Sequence, residues 1–314
     1  MTGYLIRRLL SMVPVLGVVA AVTFALIRIL PGDPAAAMLG EQATHEDIES
    51  LRREMGLNAP IPLQFLEWAG KAVQGDLGRS LKTRQKITEA IVQRLPVTVE
   101  LTVLAMVFAV LVGVPCGVVS AVRPNSRVDV AASVISIVGV AIPGFFLGIL
   151  LILLFGLVLR WLPPSGYVPL GRGVLSNLEH MILPSVTLGL GIAAVIMRQI
   201  RSSLLEVLQR EYVLTARSKG LPEWAIIGRH ALGNALIPAV TIVGLQVGRL
   251  FGGAVITESV FAIPGIGRLV IEGIMSRDFE VVQGVVLFMA LAVLFSSLVV
   301  DMVYSYLDPR IRYR

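Results

Sequence analysis

The sequence predicts an all-α membrane protein with six transmembrane helices, and three observations lead to this fold class. Hydrophobic residues make up 55% of the 314-residue chain, and charged residues make up only 15%. The mean hydropathy is +0.81, which few soluble proteins reach. Six stretches of about the length that crosses a bilayer contain no Asp, Glu, Lys or Arg. They are Leu9–Ile27, Leu101–Val122, Val130–Leu159, Met181–Met197, Ala231–Gly248 and Val281–Val300.

The first and third stretches need separate justification. Arg7 and Arg8 precede the first, as in a secretory signal peptide, but its 19 apolar residues exceed the roughly 7–15 that are typical of such peptides. We therefore expect a retained helix. The third stretch is 30 residues long and carries Pro143-Gly144 near its middle, which predicts a helix that is kinked or broken there.

Positive charge in the short loops predicts the orientation in the membrane. With the N-terminus inside, the inside segments hold thirteen lysines and arginines, and the two short outside loops hold four. Cytoplasmic loops of membrane proteins carry such an excess. Both termini are therefore expected to be cytoplasmic in a multi-pass protein of the cell (inner) membrane. The net charge of +6 then needs no nucleic-acid partner to explain it.

This topology divides the chain into four expected parts. Thr44 and Asp47 have the spacing of a capping box, and Phe65 with Trp68 marks a second amphipathic helix in the same region. That region is either a cap on the membrane surface or a docking surface for an external protein. The parts are an N-terminal transmembrane helix (1–30), an extracytoplasmic helical insert (31–96), a core of five helices (97–307) and a cytoplasmic tail (308–314).

A polar loop between the fourth and fifth spans, residues 211–238, is longer than a simple connection requires. We call this segment the elbow. A first helix is predicted to open at Glu211 and to end just before Gly220, and a second to open at Pro222 and Glu223 and to end just before Gly233. Acids at helix starts and bases at helix ends complement the helix dipole. The bases in the two last turns are Arg217, Lys219, Arg229 and His230. A structured cytoplasmic loop predicts a surface on which another protein acts.

Few polar side chains fall inside the predicted spans. Gln246 and Arg249 share a face of the fifth helix, and an ionisable residue at depth is a candidate for function. Arg249 could attract the carboxylate of an anionic or zwitterionic solute. Alternatively, Arg249 has a structural role, in which it snorkels outward or pairs with a neighbouring acid such as Glu258.

Glycines four residues apart predict close helix packing, either within the chain or against a second subunit. The pairs Gly113/Gly117 and Gly144/Gly148 are examples. Cys116, the only cysteine, lies in the second span and is expected to pack as a small apolar group.

Motifs of enzymes and metal sites are missing from the sequence. It contains no GxxxxGK[ST] phosphate loop, no HExxH and no GxSxG, and its three histidines are scattered. We therefore expect no catalysis, no metal and no cofactor in this chain. The alternative function is an ion-coupled secondary transporter or a channel that acts without an ATPase. It would require paired carboxylates near the midplane and repeated halves, and neither is evident.

Segments spread over nearly the whole chain resemble the inner-membrane permease subunits of ABC importers of the dipeptide/oligopeptide (and nickel) class. The segments include RRLLSMVPVL, LPGDPAAAMLG, GDLGRS, RLPVTVELT, EYVLTARSKGL, RHALGNALIP, ESVFAIPGIGRL and VDMVYSYLDPRIRY. The resemblance implies a type I ABC importer permease fold for 97–307. It also implies that the chain forms half of a translocation pathway for di- or oligopeptides.

The resemblance also assigns expected roles to residues. The elbow would seat in a groove of an ATPase, with Ala216 and Gly220 at the alanine and glycine positions of the EAA-type pattern and Leu214-Thr215 in place of the usual Glu-Ala. The expected coupling residues are Glu211, Tyr212, Thr215, Ala216, Arg217, Gly220, Leu221, Arg229 and His230. The outer gate would comprise Glu258, Phe261, Pro264 and Gly265, whereas a translocation path at Gln246 and Arg249 is our inference from their depth.

Partners follow from the same resemblance. They are a second homologous permease, two ATP-binding-cassette ATPase subunits or domains that bind ATP and Mg²⁺, an extracytoplasmic solute-binding protein and the lipid bilayer. The chain itself would be a non-catalytic subunit.

Overall fold

In the computed structural model, residues 2–29, 44–54 and 58–307 are described, and their regular elements are all helical, which confirms the all-α fold class. The start of the expected insert, 31–43, and the tail at 308–314 lie outside these residues. The helices are α1 Thr2–Ile29, α2 His45–Glu54, α3 Ile61–Val73, α4 Ile87–Val122, α5 Arg127–Ala141, α6 Gly144–Leu151, α7 Val174–Leu208, α8 Glu211–Ser218, α9 Leu232–Val260, α10 Ile266–Met275 and α11 Phe279–Leu307. Shorter helical turns are Ile152–Val158 after α6, Leu170–Arg172 before α7, and Glu223–Ala225 followed by Ile226–Ala231 before α9.

The candidate membrane spans follow the six predicted stretches and confirm a break in the third. Within the described ranges, five helices are long and apolar enough to cross alone: Arg7–Ala25, Ile87–Val122, Val174–Leu208, Glu223–Val260 and Phe279–Met302. The sixth is a pair, Arg127–Ala141 with Gly144–Val158, bent by 107°. Pro143 stands at the bend as the N-cap of α6, where its missing N–H and fixed φ suit a helix start.

The chain divides into two compact units, Met1–Pro96 with Gly265–Phe295 and Val97–Pro264 with Ser296–Arg314. In the first unit, the predicted capping box is present. The backbone N–H of Asp47 donates to Thr44 Oγ1 at 3.2 Å, and the N–H of Thr44 donates to Asp47 Oδ2 at 3.2 Å. The Thr44 hydroxyl also donates to Asp47 Oδ2, and this hydrogen bond, together with the one from the Thr44 backbone N–H, lowers the pKa of the Asp47 carboxyl.

The predicted second amphipathic helix of this unit is α3. Its aromatic rings pack against Phe24 of α1, with ring centroids 5.3 Å away for Phe65 and 5.9 Å away for Trp68. Edge and tilted ring contacts at this spacing are favourable. The contact holds α1 and α3 together.

Helix α4 begins at Ile87, before the apolar stretch that starts at Leu101. Its first turns bury Ile87, Ala90 and Ile91 in a cluster with α10 and leave the polar side chains on the other face. An amphipathic start of this kind contains charges, so a search for uncharged runs does not detect it.

The second unit is built around α7, which packs against α4, α5, α6 and α9. Along α4, a Cβ on Gly113 would lie 2.7 Å from the carbonyl oxygen of Ala193, and one on Gly117 would lie 2.7 Å from that of Met197. Both distances are too short for any side chain. The close packing predicted for this glycine pair is confirmed within the chain.

The prediction for Cys116 is wrong, because this side chain is exposed. Helix α4 turns its glycine face, including Gly117, toward α7. Cys116 precedes Gly117 by one residue, so it points about 100° away from that contact.

A buried carboxylate joins α4, α5 and α7 at the end of the unit that is predicted to be cytoplasmic. The Asp129 side chain is 3% exposed and accepts two hydrogen bonds from Arg201, from Nε at 2.7 Å and Nη2 at 2.8 Å. It also accepts from Ser120 Oγ on α4 and from the backbone N–H of Asn125. A bidentate contact of this kind fixes the relative orientation of the two side chains and also stabilises the fold.

We expect Asp129→Ala to destabilise the protein by about 3 kcal/mol, because it leaves Arg201 and Ser120 without their shared acceptor. Thermal unfolding of the purified protein in detergent measures the effect as a lower Tm. The control is Glu206→Ala, which removes the exposed ion pair with Arg210 and should cost less than about 1 kcal/mol. Equal shifts for the two variants would contradict the structural role of Asp129.

Candidate functional site

The first half of the elbow has the predicted structure. Helix α8 starts at Glu211, ends with Ser218, and is followed by Gly220 in the left-handed conformation with φ of +78°. Glycine suits this position because other side chains are strained there, and the space around its Cα is open.

The predicted end of the second elbow helix is wrong. A turn begins after Pro222 at Glu223–Ala225 as expected, but it continues through the π-helical turn Ile226–Ala231 directly into α9. Gly233 therefore lies inside a helix. Ile226 and Ala231 are fully buried, and this apolar packing favours continuation of the helix over the glycine signal. Arg229 and His230 lie in the π-helical turn and not at a helix end.

Two contacts brace the elbow across its turn. The Arg217 guanidinium donates from Nε to Glu223 Oε1 at 2.7 Å and from Nη2 to Glu223 Oε2 at 3.2 Å. The carboxylate raises the pKa of Arg217, which stays charged. Further along, Asn234 Nδ2 donates to the Tyr212 hydroxyl at 2.9 Å. The first contact joins α8 to the following turn, and the second joins α8 to the start of α9.

The inner face of the elbow is anchored in an apolar cluster. Val213 and Ile226 are fully buried and Ala216 is nearly so, and they pack with Val207 and Leu208 at the end of α7. The elbow is therefore continuous with the helix that organises the second unit.

The outer face of the elbow exposes large apolar side chains. Trp224 is 79% exposed and Leu214 is 50% exposed, and Tyr212 and Leu221 are exposed beside them in sequence. Apolar groups that stay in water within a polar, braced loop indicate an interaction surface. The coupling residues expected from the sequence do not include Trp224, Leu214 or Asn234. A tryptophan in an otherwise polar loop is the signal that identifies Trp224.

Among the remaining predicted coupling residues, Thr215 and Arg229 are exposed, and His230 is half-buried. Thr215 donates its hydroxyl to the carbonyl of Glu211 at 2.9 Å, as is usual within a helix. The structure therefore brings Tyr212, Thr215, Arg217 and Leu221 onto one braced segment and places Arg229 and His230 on the turn that follows.

A second candidate site is a cavity of about 470 Å³ lined by α5, α6, α7 and α9. Gln246 and Arg249 both line it, and Arg249 Nη1 lies 3.5 Å from Gln246 Oε1, at the limit of a hydrogen bond. Two buried threonines, Thr187 and Thr257, also line it, with their hydroxyls donated to their own helices. Each hydroxyl oxygen has a lone pair left to accept a further hydrogen bond.

Arg249 has no carboxylate partner among the described residues. The alternative that it pairs with Glu258 is not realised, since Glu258 is fully buried and accepts a hydrogen bond from Thr98 Oγ1 at 2.7 Å. Among the described residues that line the cavity, Arg249 is the charged one. Arg249 is exposed at the cavity, and a guanidinium that no neighbour neutralises attracts anionic groups.

The predicted outer-gate residues occupy different environments. Phe261 is 1% exposed and packs beside Gly148 of α6, where an added Cβ would lie 3.2 Å from its ring. Its carbonyl accepts from the N–H of Gly166 at 2.8 Å. Pro264 is exposed, and Gly265 is the N-cap of α10. Glu258 and Phe261 therefore belong to a packed core at this end of α9.

Glu100 lies inside α4, and its carboxylate serves a structural purpose. It accepts hydrogen bonds from the Tyr167 hydroxyl at 2.8 Å and from Asn177 Nδ2 at 2.6 Å. Burial, together with this carboxylate, raises the pKa of Tyr167 to about 12, so the phenol stays a donor. These contacts hold the 160–173 connection against α4 and α7.

Among the residues that the structure describes, no group of three or more His, Cys, Asp or Glu side chains could hold a metal ion.

The class of protein follows from three features taken together, and it is a membrane transport subunit. The features are the apolar spans, the braced elbow with its exposed apolar face, and the cavity with one unneutralised cation.

The comparison with known families is consistent with that class. The chain belongs to the family described as binding-protein-dependent transport system inner membrane component, which matches residues 113–313. The N-terminal component of the same transport systems matches residues 1–102. The chain is therefore a permease subunit of an ABC importer, and the resemblance found in the sequence is confirmed.

Curated relatives match the chain from end to end. It is 41% identical over 310 residues to a probable peptide ABC transporter permease of Sinorhizobium fredii, with 99% of both chains covered. It is 41% identical to the dipeptide transport system permease DppB of Alkalihalophilus pseudofirmus and 40% identical to the glutathione transport system permease GsiC of Escherichia coli, with both chains fully covered.

Solved structures share the fold. A MetNI methionine ABC transporter in an inward-facing conformation matches with a TM-score of 0.58 at 19% identity, covering 70% of this chain and 96% of the other. An amino acid ABC transporter with histidines matches with a TM-score of 0.51 at 18% identity, covering 71% and 95%. The importer permease fold expected for the core is confirmed.

Proposed function

We propose that this permease forms half of a translocation pathway for di- or oligopeptides and that its elbow receives the force of an ATPase. The observation that carries the coupling role is the elbow itself, which is braced on one side and exposes Trp224, Leu214 and Leu221 on the other. The names of the curated relatives, which include peptide, dipeptide and glutathione permeases, support the substrate class.

The complete importer requires partners. We propose a second homologous permease, two ATPase subunits or domains, and an extracytoplasmic solute-binding protein that delivers the peptide. ATP and Mg²⁺ are bound by the ATPases, and this chain carries out no covalent chemistry. In this assembly the core 97–307 forms the half-pathway, and the tail 308–314 lies in the cytoplasm. The insert 31–96 is either a cap on the membrane surface or a docking surface for an external protein.

The proposed coupling step is mechanical. When the ATPases close on ATP, they displace the outer face of the elbow, and the Arg217–Glu223 contact keeps its two halves from moving separately. The displacement passes into α9 because the elbow continues into that helix. A ligand shifts such an equilibrium only through different contacts in the two states, and differential ATPase contact supplies that difference.

The cavity beside α9 is the proposed solute path. Arg249 provides a positive charge for the C-terminal carboxylate of a peptide, and the buried Gln246 and the threonine oxygens provide neutral hydrogen-bonding groups. The segment from Glu258 to Gly265 is proposed as the outer gate, with the packing of Phe261 closing that end of α9.

We expect Trp224→Ala to weaken ATPase binding by about 30-fold, because truncating a central interface tryptophan costs 2 kcal/mol or more. The measurement is the affinity of the purified permease for its ATPase partner. The matched control is Trp161→Ala, a tryptophan that is 70% exposed but remote in sequence from the elbow. Unchanged affinity in the Trp224 variant, or equal losses in both variants, argues against coupling through the elbow.

We expect Arg249→Ala to raise the KM for import of free peptides by about tenfold, because a hydrogen-bonded charge contact contributes about 1.5 kcal/mol or more. Peptides with an amidated C-terminus serve as the control, since they lack the carboxylate and should be little affected by the substitution. Uptake into vesicles measures both. A similar loss for free and amidated peptides would contradict carboxylate recognition.

The orientation is tested with reporters. A reporter fused after Arg314 should be active as a cytoplasmic fusion, because the positive charges of the short loops favour a cytoplasmic C-terminus. A fusion at Gly171, in the 160–173 connection, should report the opposite side. An extracytoplasmic signal from the C-terminal fusion would overturn the proposed topology.

A further inference from the structure

A second cavity, of about 410 Å³, lies between α4, α5 and α7 and is separate in its lining from the one at Arg249. Its volume falls in the range of about 300–1,000 Å³ that is typical of ligand pockets. We call it the α5 groove. Small and apolar side chains dominate its walls, among them Gly113, Cys116, Ala131, Ile135, Ala193 and Met197.

One end of the α5 groove carries a free positive charge. Arg127, the first residue of α5, lines the groove, and its side chain has no hydrogen bond or ion pair with any described residue. The nearest acid in sequence, Asp129, is buried and engaged by Arg201, so it does not neutralise Arg127. The groove extends from Arg127 to Ser136, on the order of 13 Å along the helix axis.

The outer surface of α5 continues the apolar character of the groove. Val130, Val134 and Ile137 are each at least half exposed on this helix. In a membrane-spanning helix, such side chains face hydrocarbon when no protein covers them. The α5 groove therefore opens toward acyl chains along its length and toward the polar membrane surface at Arg127.

We infer that the α5 groove binds an anionic phospholipid, with the headgroup phosphate on Arg127 and one acyl chain along the Ala131–Ile135 wall. Charge complementarity selects this occupant. The groove has an apolar wall and one unpaired guanidinium at the membrane surface, and these fit a lipid with an acyl chain and an anionic headgroup. The assignment to the cytoplasmic leaflet rests on the topology given under Proposed function. The binding itself does not depend on transport.

The test uses the full-length protein in lipid nanodiscs that contain phosphatidylcholine and phosphatidylglycerol, with retained lipids counted by native mass spectrometry. The wild type should retain phosphatidylglycerol in preference to phosphatidylcholine. Arg127→Gln should reduce this preference about fivefold, the factor that corresponds to about 1 kcal/mol for one basic residue near a membrane surface. The matched control is Arg123→Gln, which removes an equal charge from the same connection outside the groove and should change little.

Two outcomes would overturn the proposal. Equal losses in the two arginine variants, or none in either, would show that retention reflects bulk charge and no groove site. The second outcome concerns which molecule fills the groove. It is measured by the reactivity of Cys116, which is exposed at the groove and is the only cysteine in the sequence. Its alkylation by a lipid-soluble maleimide in the intact transporter should proceed, and phosphatidylglycerol should slow it in the wild type but not in Arg127→Gln. A cysteine that is blocked in every lipid would show that a protein subunit covers the groove.

These readouts need neither ATP nor solute. A permease that fails to import peptides can therefore still show the lipid preference, and loss of the preference can occur with import intact.

Discussion

The close approach of α4 and α7 is the constraint on which the second unit depends. At Gly113, Gly117 and also Gly189, an added Cβ would lie between 2.5 and 2.7 Å from a carbonyl oxygen of the facing helix. In hydrocarbon, helices gain little from the hydrophobic effect and associate through such backbone proximity. With α7 held against α4, its other faces are free for α5, α6 and α9, which together line the cavity at Arg249, and its end carries the elbow.

Much of this architecture could be predicted because the bilayer imposes simple rules. Uncharged runs locate the spans, Pro143 locates the break, and the Thr44–Asp47 spacing locates a helix start. The errors arise where tertiary packing overrides a local signal. Gly233 reads as a helix end, but burial of Ile226 and Ala231 carries the helix past it. Cys116 reads as buried because it lies in an apolar run, but which face of a helix meets a neighbour depends on the whole bundle.

The functional surfaces, too, could be predicted only in part from the sequence. Gln246 and Arg249 could be paired from the sequence because residues three positions apart on one helix share a face. The groups that surround them come from three other helices, whose crossing points no local pattern encodes. In the elbow, end signals locate α8 and the turn at Gly220. The Arg217–Glu223 bridge and the exposure of Trp224 follow only from how the turn folds back and which side α7 covers.

The π-helical turn at Ile226–Ala231 has a consequence for leverage. Because it fuses the elbow to α9, Trp224 and Arg249 lie on one continuous helical arm, 25 residues apart, or roughly 37 Å. Tilting such an arm by about 5° about one end displaces the other by about 3 Å, which is comparable to a hydrogen-bond length. In the coupling proposed above, a tilt of the arm at its elbow end would therefore move Arg249 far enough to make or break a contact.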